Sequence, residues 1–498
     1  MTWGLLWLSL LTAVPLWLVE YPPIQDLPQH LAAIRIWKDY ADPALHFSDF
    51  FEIELSKTQY LAYYGAARLL AIPLGVVVAN RVLLTVAICA LPFAMRSLLR
   101  ALGRDQYLSL LVLPLTYNTQ LILGFLNFVA ALPLALWGLS LAVKLRAEPS
   151  RARWAGLALV SVVCFYSHPV PFALLVLGSV LSLAGADFVG SLRRLAPLLP
   201  AALTALIWLG TSPAGRAVRA AATLGASPIG PRPQFASVSA NLRDIPNWLT
   251  DVLNSERDEQ LFIAWCLVVL CIVALGAEAP EAEKDALKVS LVRRLGLLAP
   301  VCVLAFFLAP TSYDWIWPIN ARFPYLALIF LIPILPRVPR RWQVVLGTGA
   351  TLITLLTVHA IGTAFREFQD EVGELDRAIA SIPPGRKVCG LIWDRYSRNI
   401  KFAPFLHSVA WYQVRRGGAV MFSFADFPQS PIRFRENNRP PRVPPRWEWQ
   451  PENLRPELDL EFYDYVLTRG GPGRIAVTPE WRRSFESGAW RVFERVAR

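Results

Sequence analysis

The sequence predicts a polytopic α-helical membrane protein with about 11 transmembrane helices and a C-terminal extracytoplasmic α/β domain. Of its 498 residues, 55% are hydrophobic and only 17% are charged, whereas soluble chains carry about 25% charged residues. Long apolar runs separated by short basic loops fill residues 1–363, and residues 364–498 have an ordinary globular composition. We therefore predict two domains: a membrane bundle over 1–363, which includes an external loop over 20–78, and a soluble domain over 364–498.

The apolar runs define the candidate spans, because a helix needs about 20 apolar residues to cross the hydrocarbon core of a bilayer. The first run, 3–19, lacks the basic segment and the cleavage site of a signal peptide, so we interpret it as a retained span. The candidate spans are 3–19, 79–97, 107–120, 121–143, 154–167, 170–186, 195–211, 260–277, 295–310, 323–336 and 342–363.

Arginine and lysine residues in the short loops predict the orientation in a bacterial-type inner or plasma membrane. Because short cytoplasmic loops are enriched in these residues, the basic loops are predicted to be cytoplasmic, with the N-terminus on the same side and the C-terminal domain outside. This topology requires that the amphipathic segment 58–76 lies in the interface and does not cross the bilayer. The basic residues are Arg96, Arg100, Arg104, Lys144, Arg146, Arg151, Arg153, Arg193, Arg194, Arg337, Arg340 and Arg341.

Charge and cysteine usage exclude several classes of function. The net charge of +12 and the pI of about 9.6 would suit a nucleic-acid-binding protein only if the basic residues clustered on one face. Here many lie in loops between apolar runs, so we predict no nucleic-acid partner. The six cysteines form no CxxC pair or Cys/His spacing, which indicates neither a zinc site nor a disulfide framework.

The segment after the first apolar run, PPIQDLPQH, contains the first candidate site. Asp26 and His30 are four residues apart and share one face if a helix begins at Leu27. One interpretation is structural: Asp26 caps this helix, whose first turn accommodates Pro28. The other is functional: Asp26 is a carboxylate at the membrane surface that acts as a general base, and His30 orients it or binds phosphate.

The segment DWIWPINARFPY contains the second candidate site. Arg322 is the cation of this short external loop and lies where an apolar run begins. Its guanidinium could extend to lipid headgroups, or it could bind a phosphate through paired N–H donors. Asp314 opens the same segment and is a further candidate for substrate binding.

Two external turns provide further candidates for substrate binding. His168 lies in SHPVP, where the prolines alone would explain a turn, and a histidine at the outer end of a membrane bundle is also a functional candidate. Asn118 lies in YNTQ, where its side chain could bind substrate or satisfy backbone groups of the turn.

The C-terminal sequence predicts strands near 386–393, 463–468 and 490–493, separated by a loop rich in proline and arginine over 425–457. It contains no phosphate-binding glycine loop and no nucleophile elbow. We therefore assign no catalysis to this domain.

The arrangement of these motifs resembles the GT-C superfamily of membrane glycosyltransferases, which includes the protein O-mannosyltransferases and the aminoarabinose transferases. The resemblance lies in one span followed by an external loop with an early aspartate, Asp26, and by an aromatic segment, Gln59–Tyr64. An Arg322–Phe323 pair then opens a late span, and an extracytoplasmic domain ends the chain.

The resemblance implies transfer of a sugar from a polyprenyl-phosphate carrier to an acceptor at the extracytoplasmic face, with inversion. Asp26 would be the base, His30 would assist it, and Arg322 would neutralise the departing phosphate. His168, Asp314, Asn118 and Tyr63 would complete the substrate-binding residues. Many members have a second acidic residue in the next external loop, which is absent from 117–120 here, so we predict no obligatory metal and no cofactor.

A membrane transporter or flippase of a lipid-linked or small substrate is the alternative. Transporters often show internal repeats and ionisable groups near the middle of the bilayer. The sequence shows no clear repeat, and its polar candidates gather at the external ends of spans. These observations favour the glycosyltransferase.

Overall fold

The computed structural model of the chain is mostly helical, with a small β-sheet near the C-terminus. The residues it describes are 2–56, 58–213, 215–216, 219, 233–276, 285–313, 316–441, 448–471 and 473–496.

The α-helices concentrate in the first three quarters of the chain, as its apolar runs predict. Within the described residues they are Thr2–Ala13, Leu27–Lys38, Phe47–Phe50, Leu61–Leu74, Val76–Ala101, Thr119–Leu123, Leu126–Ala147, Arg151–Phe165, Pro169–Leu183, Phe188–Leu195, Leu199–Thr211, Val238–Asp244, Arg257–Ala274, Ala286–Gly296, Leu298–Leu308, Phe323–Leu331, Arg340–Val372, Leu375–Ala380, Ala410–Arg416 and Pro456–Asp459.

The helical segments identify the chain as a membrane protein. Among the described residues, five helical segments are long and apolar enough to cross a bilayer: Val76–Ala101, Leu126–Ala147, Phe188–Thr211, Ala286–Leu308 and Arg340–Val372. Shorter apolar segments are Thr2–Trp17, Leu61–Leu74, Pro169–Leu183 and Asn320–Ile334. Eight of these nine segments overlap predicted spans, and Leu61–Leu74 is the exception. The total of about 11 spans stays a prediction.

Leu61–Leu74 falls in the segment predicted to lie in the interface. Its 14 residues extend about 21 Å, which is less than the hydrocarbon thickness of about 30 Å. Leu69 and Ile72 are exposed, and Tyr63, Tyr64 and Ala67 are buried. The helix therefore has one buried face and one apolar exposed face, and its position in the interface stays a prediction.

The predicted span at 107–120 is not an α-helix. The structure has a 3₁₀ helix over Gln106–Val112 followed by turns. Asn118 accounts for part of this difference, because its side-chain amide donates to the carbonyl oxygens of Leu115 and Thr116 at 2.9 and 3.1 Å. A side chain that bonds nearby backbone groups in this way competes with helical hydrogen bonds.

By its contacts the chain divides into two compact units. Unit 1 contains 1–15, 84–121 and 125–362, and unit 2 contains 16–83, 122–124 and 363–498. The segment 20–78, predicted to be an external loop, thus clusters with the C-terminal residues, although the division by composition grouped it with the bundle. That division, into 1–363 and 364–498, stays a prediction.

Unit 1 is a helical bundle with one large apolar core. Leu126–Ala147 packs against Pro169–Leu183, and small residues allow the close approach. A Cβ at Gly138 would lie 2.5 Å from the Leu175 side chain, and one at Gly178 would lie 2.5 Å from the Leu139 side chain. These glycines fix the spacing of the two helices.

Unit 2 contains a five-stranded mixed sheet. Its strands, in order across the sheet, are β3 (Ala419–Val420), β2 (Lys387–Ile392), β5 (Tyr465–Arg469), β7 (Trp490–Arg495) and β6 (Trp481–Ser487). β2 (Lys387–Ile392) and β5 (Tyr465–Arg469) pair in parallel at its centre, and β5 is buried along its whole length, as is usual for a parallel strand covered on both faces. The predicted strands correspond to β2, β5 and β7 (Trp490–Arg495). The edge strands, which were not predicted, are β3 (Ala419–Val420) and β6 (Trp481–Ser487).

The segment 20–78 contributes a strand and a helix to unit 2. β1 (Phe51–Ile53) pairs antiparallel with β4 (Ile432–Phe434). The helix Leu27–Lys38 packs against Ala410–Arg416, and its buried residues include Leu31, Ile34 and Ile36. The segment that carries Asp26 and His30 is thereby fixed against C-terminal residues.

Candidate functional site

Asp26 lies at the N-cap position of the helix Leu27–Lys38, where the sequence predicted it, with Pro28 in the first turn. Its carboxylate makes no capping hydrogen bond, so capping does not explain the residue. The backbone before the helix is held by other groups: the N–H of Gln25 donates to the Ile122 carbonyl at 2.9 Å, and the N–H of Asp26 donates to Leu123 at 3.2 Å. The carboxylate remains 17% exposed.

Gly124 fixes the backbone beside Asp26. Its φ of +94° is rare for residues with a side chain, and a Cβ at this position would lie 2.7 Å from the Cβ of Asp26. Any other residue would combine backbone strain with a steric clash. The position of the Asp26 carboxylate therefore depends on a glycine.

His407 is the charged partner of Asp26 in unit 2. Its Nδ1 lies 3.2 Å from Oδ1 of Asp26, and its Nε2 lies 3.9 Å from a carboxylate oxygen of Glu448. The ring stacks on Phe422 at a centroid distance of 4.8 Å, and the residue is only 6% exposed. An imidazole thus lies between two carboxylates in a site with little access to water.

The protonation of His407 reflects these neighbours. Burial alone lowers the pKa of a histidine, but Asp26 and then Glu448 outweigh it, so the pKa of His407 is raised above its usual value. A raised pKa favours the imidazolium near neutral pH. The Asp26 carboxylate is consequently held beside a cation.

His30 is in a different state. Its Nε2 bonds the carbonyl oxygen of Gly124 at 2.9 Å, and its Nδ1 bonds the hydroxyl of Tyr64 at 2.7 Å. Because a carbonyl only accepts, Nε2 carries the proton and Nδ1 accepts from the tyrosine. Burial is the largest effect and lowers the pKa of His30 to about 4, although Asp26 acts in the opposite direction. His30 is therefore neutral, with both ring nitrogens occupied.

Tyr63 is buried beside His30, with ring centroids 6.2 Å apart. Its hydroxyl donates to the side-chain oxygen of Asn80 at 2.5 Å. This bond fixes the side chain within unit 2. Its predicted contact with substrate stays a prediction.

Arg322, in unit 1, is 7% exposed. Its guanidinium carbon lies 4.5 Å from the ring centroid of Phe125, and one of its amino groups donates to the carbonyl oxygen of Pro318. An arginine that only extended to lipid headgroups would leave its charged end in the interface. The buried guanidinium is thus positioned by protein groups.

His168 is within electrostatic range of Arg322. Burial, and then the positive charge of Arg322, lower the pKa of His168 well below its usual value. Its Nδ1 accepts a hydrogen bond from the N–H of Val170 at 3.1 Å and so caps the helix Pro169–Leu183. Neutral His168 and cationic Arg322 are the two predicted site residues that unit 1 brings together.

Asn118 has a structural role in unit 1. Its side-chain oxygen accepts from the N–H groups of Gln120 and Leu121 at 2.9 and 3.2 Å. Gln120 in turn donates to the carbonyl oxygen of Ala321 at 2.9 Å. The turn therefore supports the backbone next to Arg322, and a direct contact of Asn118 with substrate stays a prediction. Asp314 lies outside the described residues.

Sequence reasoning missed His407 and Glu448. The C-terminal domain was assigned no catalysis, and His407 follows Phe405 and Leu406 in a segment without a recognisable motif. No spacing rule connects it with Asp26, because the two residues come together only in the folded unit. The one available signal was that histidine is rare in this chain, which has only five, so each histidine could have been considered a candidate.

Comparison with known proteins gives distant similarity only. No protein-family model and no curated protein matches the chain. The structure is similar to two crystal structures of ArnT from Cupriavidus metallidurans, one bound to undecaprenyl phosphate and one in the apo state, each with a TM-score of 0.46. Identity is 11% and 10%, over 98% of this chain and 97% and 96% of those chains. Similarity of this degree does not establish a common activity.

Proposed function

We propose that this protein is a membrane glycosyltransferase that moves a sugar from a polyprenyl-phosphate carrier to an acceptor at the extracytoplasmic face. The observation that carries the proposal is the Asp26 carboxylate, which makes no capping bond, lies 3.2 Å from a buried histidine and is partly open. Its position on the segment that follows the first apolar helix suits a substrate delivered from the bilayer. The sequence motifs that resemble the GT-C superfamily support the same conclusion.

In the proposed reaction Asp26 is the general base. It takes the proton from the acceptor nucleophile as that atom attacks the anomeric carbon of the sugar. The bond between this carbon and the phosphate oxygen breaks, and its electron pair remains on the polyprenyl phosphate. A single displacement of this kind inverts the anomeric configuration. His407, whose Nδ1 lies 3.2 Å from this carboxylate, is proposed to position Asp26 for the attack.

Arg322 is the group proposed to bind the donor phosphate, since a guanidinium matches phosphate oxygens with paired N–H donors. Its burial strengthens such an interaction, because buried charges are poorly screened. His168, whose Nδ1 accepts from the N–H of Val170, is proposed to contribute to the same phosphate-binding region. Asp314, Asn118 and Tyr63 remain candidates for contacts with the sugar or the acceptor.

His30 is proposed to act indirectly. Both of its ring nitrogens are bonded, to Tyr64 and Gly124, so it holds the backbone next to Asp26 and does not itself receive the proton.

The extracytoplasmic location and the cytoplasmic N-terminus rest on the positive-inside rule. Reporter fusions after Arg104, Arg194 and Arg341 should all report cytoplasm if this orientation is right.

The test of the function is sugar transfer by the purified protein in lipid nanodiscs. Donors would be undecaprenyl phosphates that each carry one sugar, and the readout is release of undecaprenyl phosphate together with a glycosylated acceptor. We expect Asp26→Asn to lower turnover at least about 100-fold, because general bases contribute about 10²–10⁴. Asp49→Asn is the matched control, since Asp49 is exposed and pairs with His46.

Two outcomes would contradict the proposal. Full turnover by Asp26→Asn would remove Asp26 from the mechanism. Movement of an intact sugar-lipid across proteoliposome membranes without glycosyl transfer would instead support the transporter alternative.

Donor binding is tested separately: Arg322→Ala should weaken undecaprenyl-phosphate affinity about 10-fold or more, whereas Arg340→Ala, which removes another arginine of unit 1, should not.

A further inference from the structure

A group of basic side chains lies in unit 1, outside the site described above, at helix ends that are predicted to be cytoplasmic. The helix ends are the C-terminal ends of Val76–Ala101 and Leu126–Ala147 and the N-terminal end of Arg151–Phe165. Hydrogen bonds and electrostatic interactions connect the side chains into one group, which we call the basic cluster. Its members are Arg96, Arg100, Lys144 and Arg153.

Hydrogen bonds to uncharged groups fix three of these side chains. Nε of Arg96 and an amino group of Arg100 donate to the same side-chain oxygen of Gln106, at 2.9 and 3.2 Å. Nζ of Lys144 donates at 2.9 Å to the hydroxyl of Ser97, the residue that follows Arg96. The two guanidinium groups therefore lie side by side, and the ammonium group of the neighbouring helix is bonded next to them.

The positive charge of the basic cluster is only partly balanced. In the described part of the chain, the side-chain hydrogen bonds of Arg96, Arg100 and Lys144 all go to uncharged groups. Arg153 pairs with the exposed Glu148 at 2.7 Å. Arg100 and Arg153 both lie within electrostatic range of Lys144. Like charges four residues apart on a helix, such as Arg96 and Arg100, are unfavourable, so an anion from outside the chain would stabilise the cluster.

Two exposed tryptophans point to the level of the lipid headgroups. Trp154 follows Arg153 in the chain, and its ring is exposed. Trp3, which is also exposed, follows Thr2, whose hydroxyl accepts a hydrogen bond from Arg96 at 3.0 Å. Tryptophan is enriched at the membrane–water interface, because its ring is apolar and its N–H is polar. The basic cluster thus adjoins residues typical of the depth at which phospholipid phosphates lie.

We propose that the basic cluster binds the phosphate of one anionic phospholipid of the surrounding leaflet. Guanidinium groups match phosphate oxygens with paired N–H donors, and an ammonium group adds a compact charge. Basic pockets between membrane helices bind lipid headgroups in this way. A lipid with a net negative charge is preferred over a zwitterionic lipid, because the phosphate of the latter is balanced by its own cation. The site includes neither Asp26 nor Arg322, so it does not rest on the proposed function.

The bound phosphate would connect three helix ends. The basic cluster already joins them through polar contacts, because the Arg153 guanidinium donates to the Lys144 carbonyl at 3.2 Å and the hydroxyls of Ser97 and Ser140 are 2.8 Å apart. An anion that relieves the repulsion among the cations strengthens the same connection. Binding should therefore raise the melting temperature of the protein.

The experiment uses the full chain in detergent micelles, freed of bound lipid by gel filtration. Dioctanoyl phosphatidylglycerol is titrated, bound lipid is counted by native mass spectrometry, and the melting temperature is recorded. Dioctanoyl phosphatidylcholine and inorganic phosphate are titrated in parallel. We expect about one phosphatidylglycerol per chain to bind at least about 10-fold more tightly than either of these two, with a higher melting temperature.

Arg100→Gln tests the cluster with little risk to folding, because Arg100 is exposed. It should weaken phosphatidylglycerol binding about 10-fold or more, and Lys144→Gln should do the same. Arg193→Gln is the matched control, since it removes an exposed arginine of the helix Phe188–Leu195, outside the cluster. Equal phosphatidylglycerol binding by the Arg100 and Arg193 variants would overturn the proposal. So would equal affinity for phosphatidylcholine, or equally tight binding of inorganic phosphate, which would indicate a site for a free anion.

Discussion

Asp26 in unit 2 and Asp258 in unit 1 are aspartates at the start of a helix, and they differ in how their charge is balanced. Asp26 has a histidine 3.2 Å away whose raised pKa favours the cation. Asp258 has two other carboxylates nearby. Burial is the largest effect on the pKa of Asp258 and Glu259 the next, and together they raise it to about 7.

The difference separates the two carboxylates by the groups that surround them. The Asp26 carboxylate has a histidine beside it and is partly exposed, an arrangement that suits the proposed proton transfer. The Asp258 carboxylate lies near two further carboxylates and accepts hydrogen bonds from two backbone N–H groups. Nearby acidic groups and burial both disfavour the charged form of Asp258.

The largest expected effect concerns the internal countercharge of Asp26. We expect His407→Gln to reduce turnover about 10–100-fold, because a hydrogen bond to a charged group contributes about 1.5–3 kcal/mol. The pKa of His407 is raised, so its contribution is present at low pH and is lost as the pH rises through that pKa. The pH dependence of turnover checks this.

The matched control is His46→Gln, which changes an exposed histidine of the same unit. His407→Gln should remove the alkaline decline that the unmodified protein and the His46 variant share. Identical pH profiles for all three proteins would mean that His407 does not act on Asp26, and the first half of the comparison would fail.

The neutral histidine beside Asp26 should produce the next largest effect, on stability. The folded pKa of His30 is about 4, below the value of about 6.5 expected in the unfolded chain. The stability that it contributes is therefore present above pH 6.5 and is lost as the pH falls toward 4, by at most about 3 kcal/mol. Unfolding midpoints at pH 7 and pH 5 measure the loss, which His30→Gln should reduce and His46→Gln should not.

The glycine beside Asp26 tests how strictly the carboxylate must be placed. Gly124→Ala should destabilise unit 2 by about 1–3 kcal/mol and lower turnover, because φ is positive and the new Cβ would meet Asp26. Gly488→Ala separates the two causes: its φ is +55° and nothing lies within 4 Å of its added Cβ. If both variants lose the same stability and turnover, the clash with Asp26 is irrelevant.

The smallest expected effect concerns the carboxylate next to Asp258. Glu259→Gln removes a negative charge that raises the pKa of Asp258. We expect it to raise the melting temperature at pH 8 by roughly 1–2 °C, whereas Glu256→Gln, which changes an exposed residue, should leave it unchanged. A decrease with Glu259→Gln would show that repulsion between these carboxylates does not limit the stability of this segment.

Much of the fold follows from local patterns in the sequence. Apolar runs indicated the helices because the bilayer requires long uncharged segments, and the runs near 387, 465 and 490 indicated strands of the sheet. The segment 107–120 was misassigned as a span because the prediction considered its apolar residues. It did not consider that an asparagine side chain can bond nearby backbone groups and end a helix. In the structure the Asn118 side chain donates to the Leu115 carbonyl and accepts from the Gln120 N–H, and the segment ends in a turn.

The site residues also divide into those that a local sequence pattern identifies and those that come together only in the folded protein. Asp26 and His30 were identified because a spacing of four residues is a local relation on a helix. His407 was missed because its relation to Asp26 exists only after the C-terminal residues pack against Leu27–Lys38. The role of His30 also changed, since its bonds to Tyr64 and Gly124 depend on contacts that no local pattern encodes.

The distance along the chain between the two halves of the Asp26 site has a consequence for biosynthesis. Gln25 accepts a hydrogen bond from the N–H of Ala403, 378 residues later, and His407 follows shortly after. During translation the segment with Asp26 is among the first to emerge, and it must wait for most of the chain before its environment exists. A nascent or truncated chain that ends before Ala403 would therefore already contain the acidic group without the histidine that lies beside it in the folded protein.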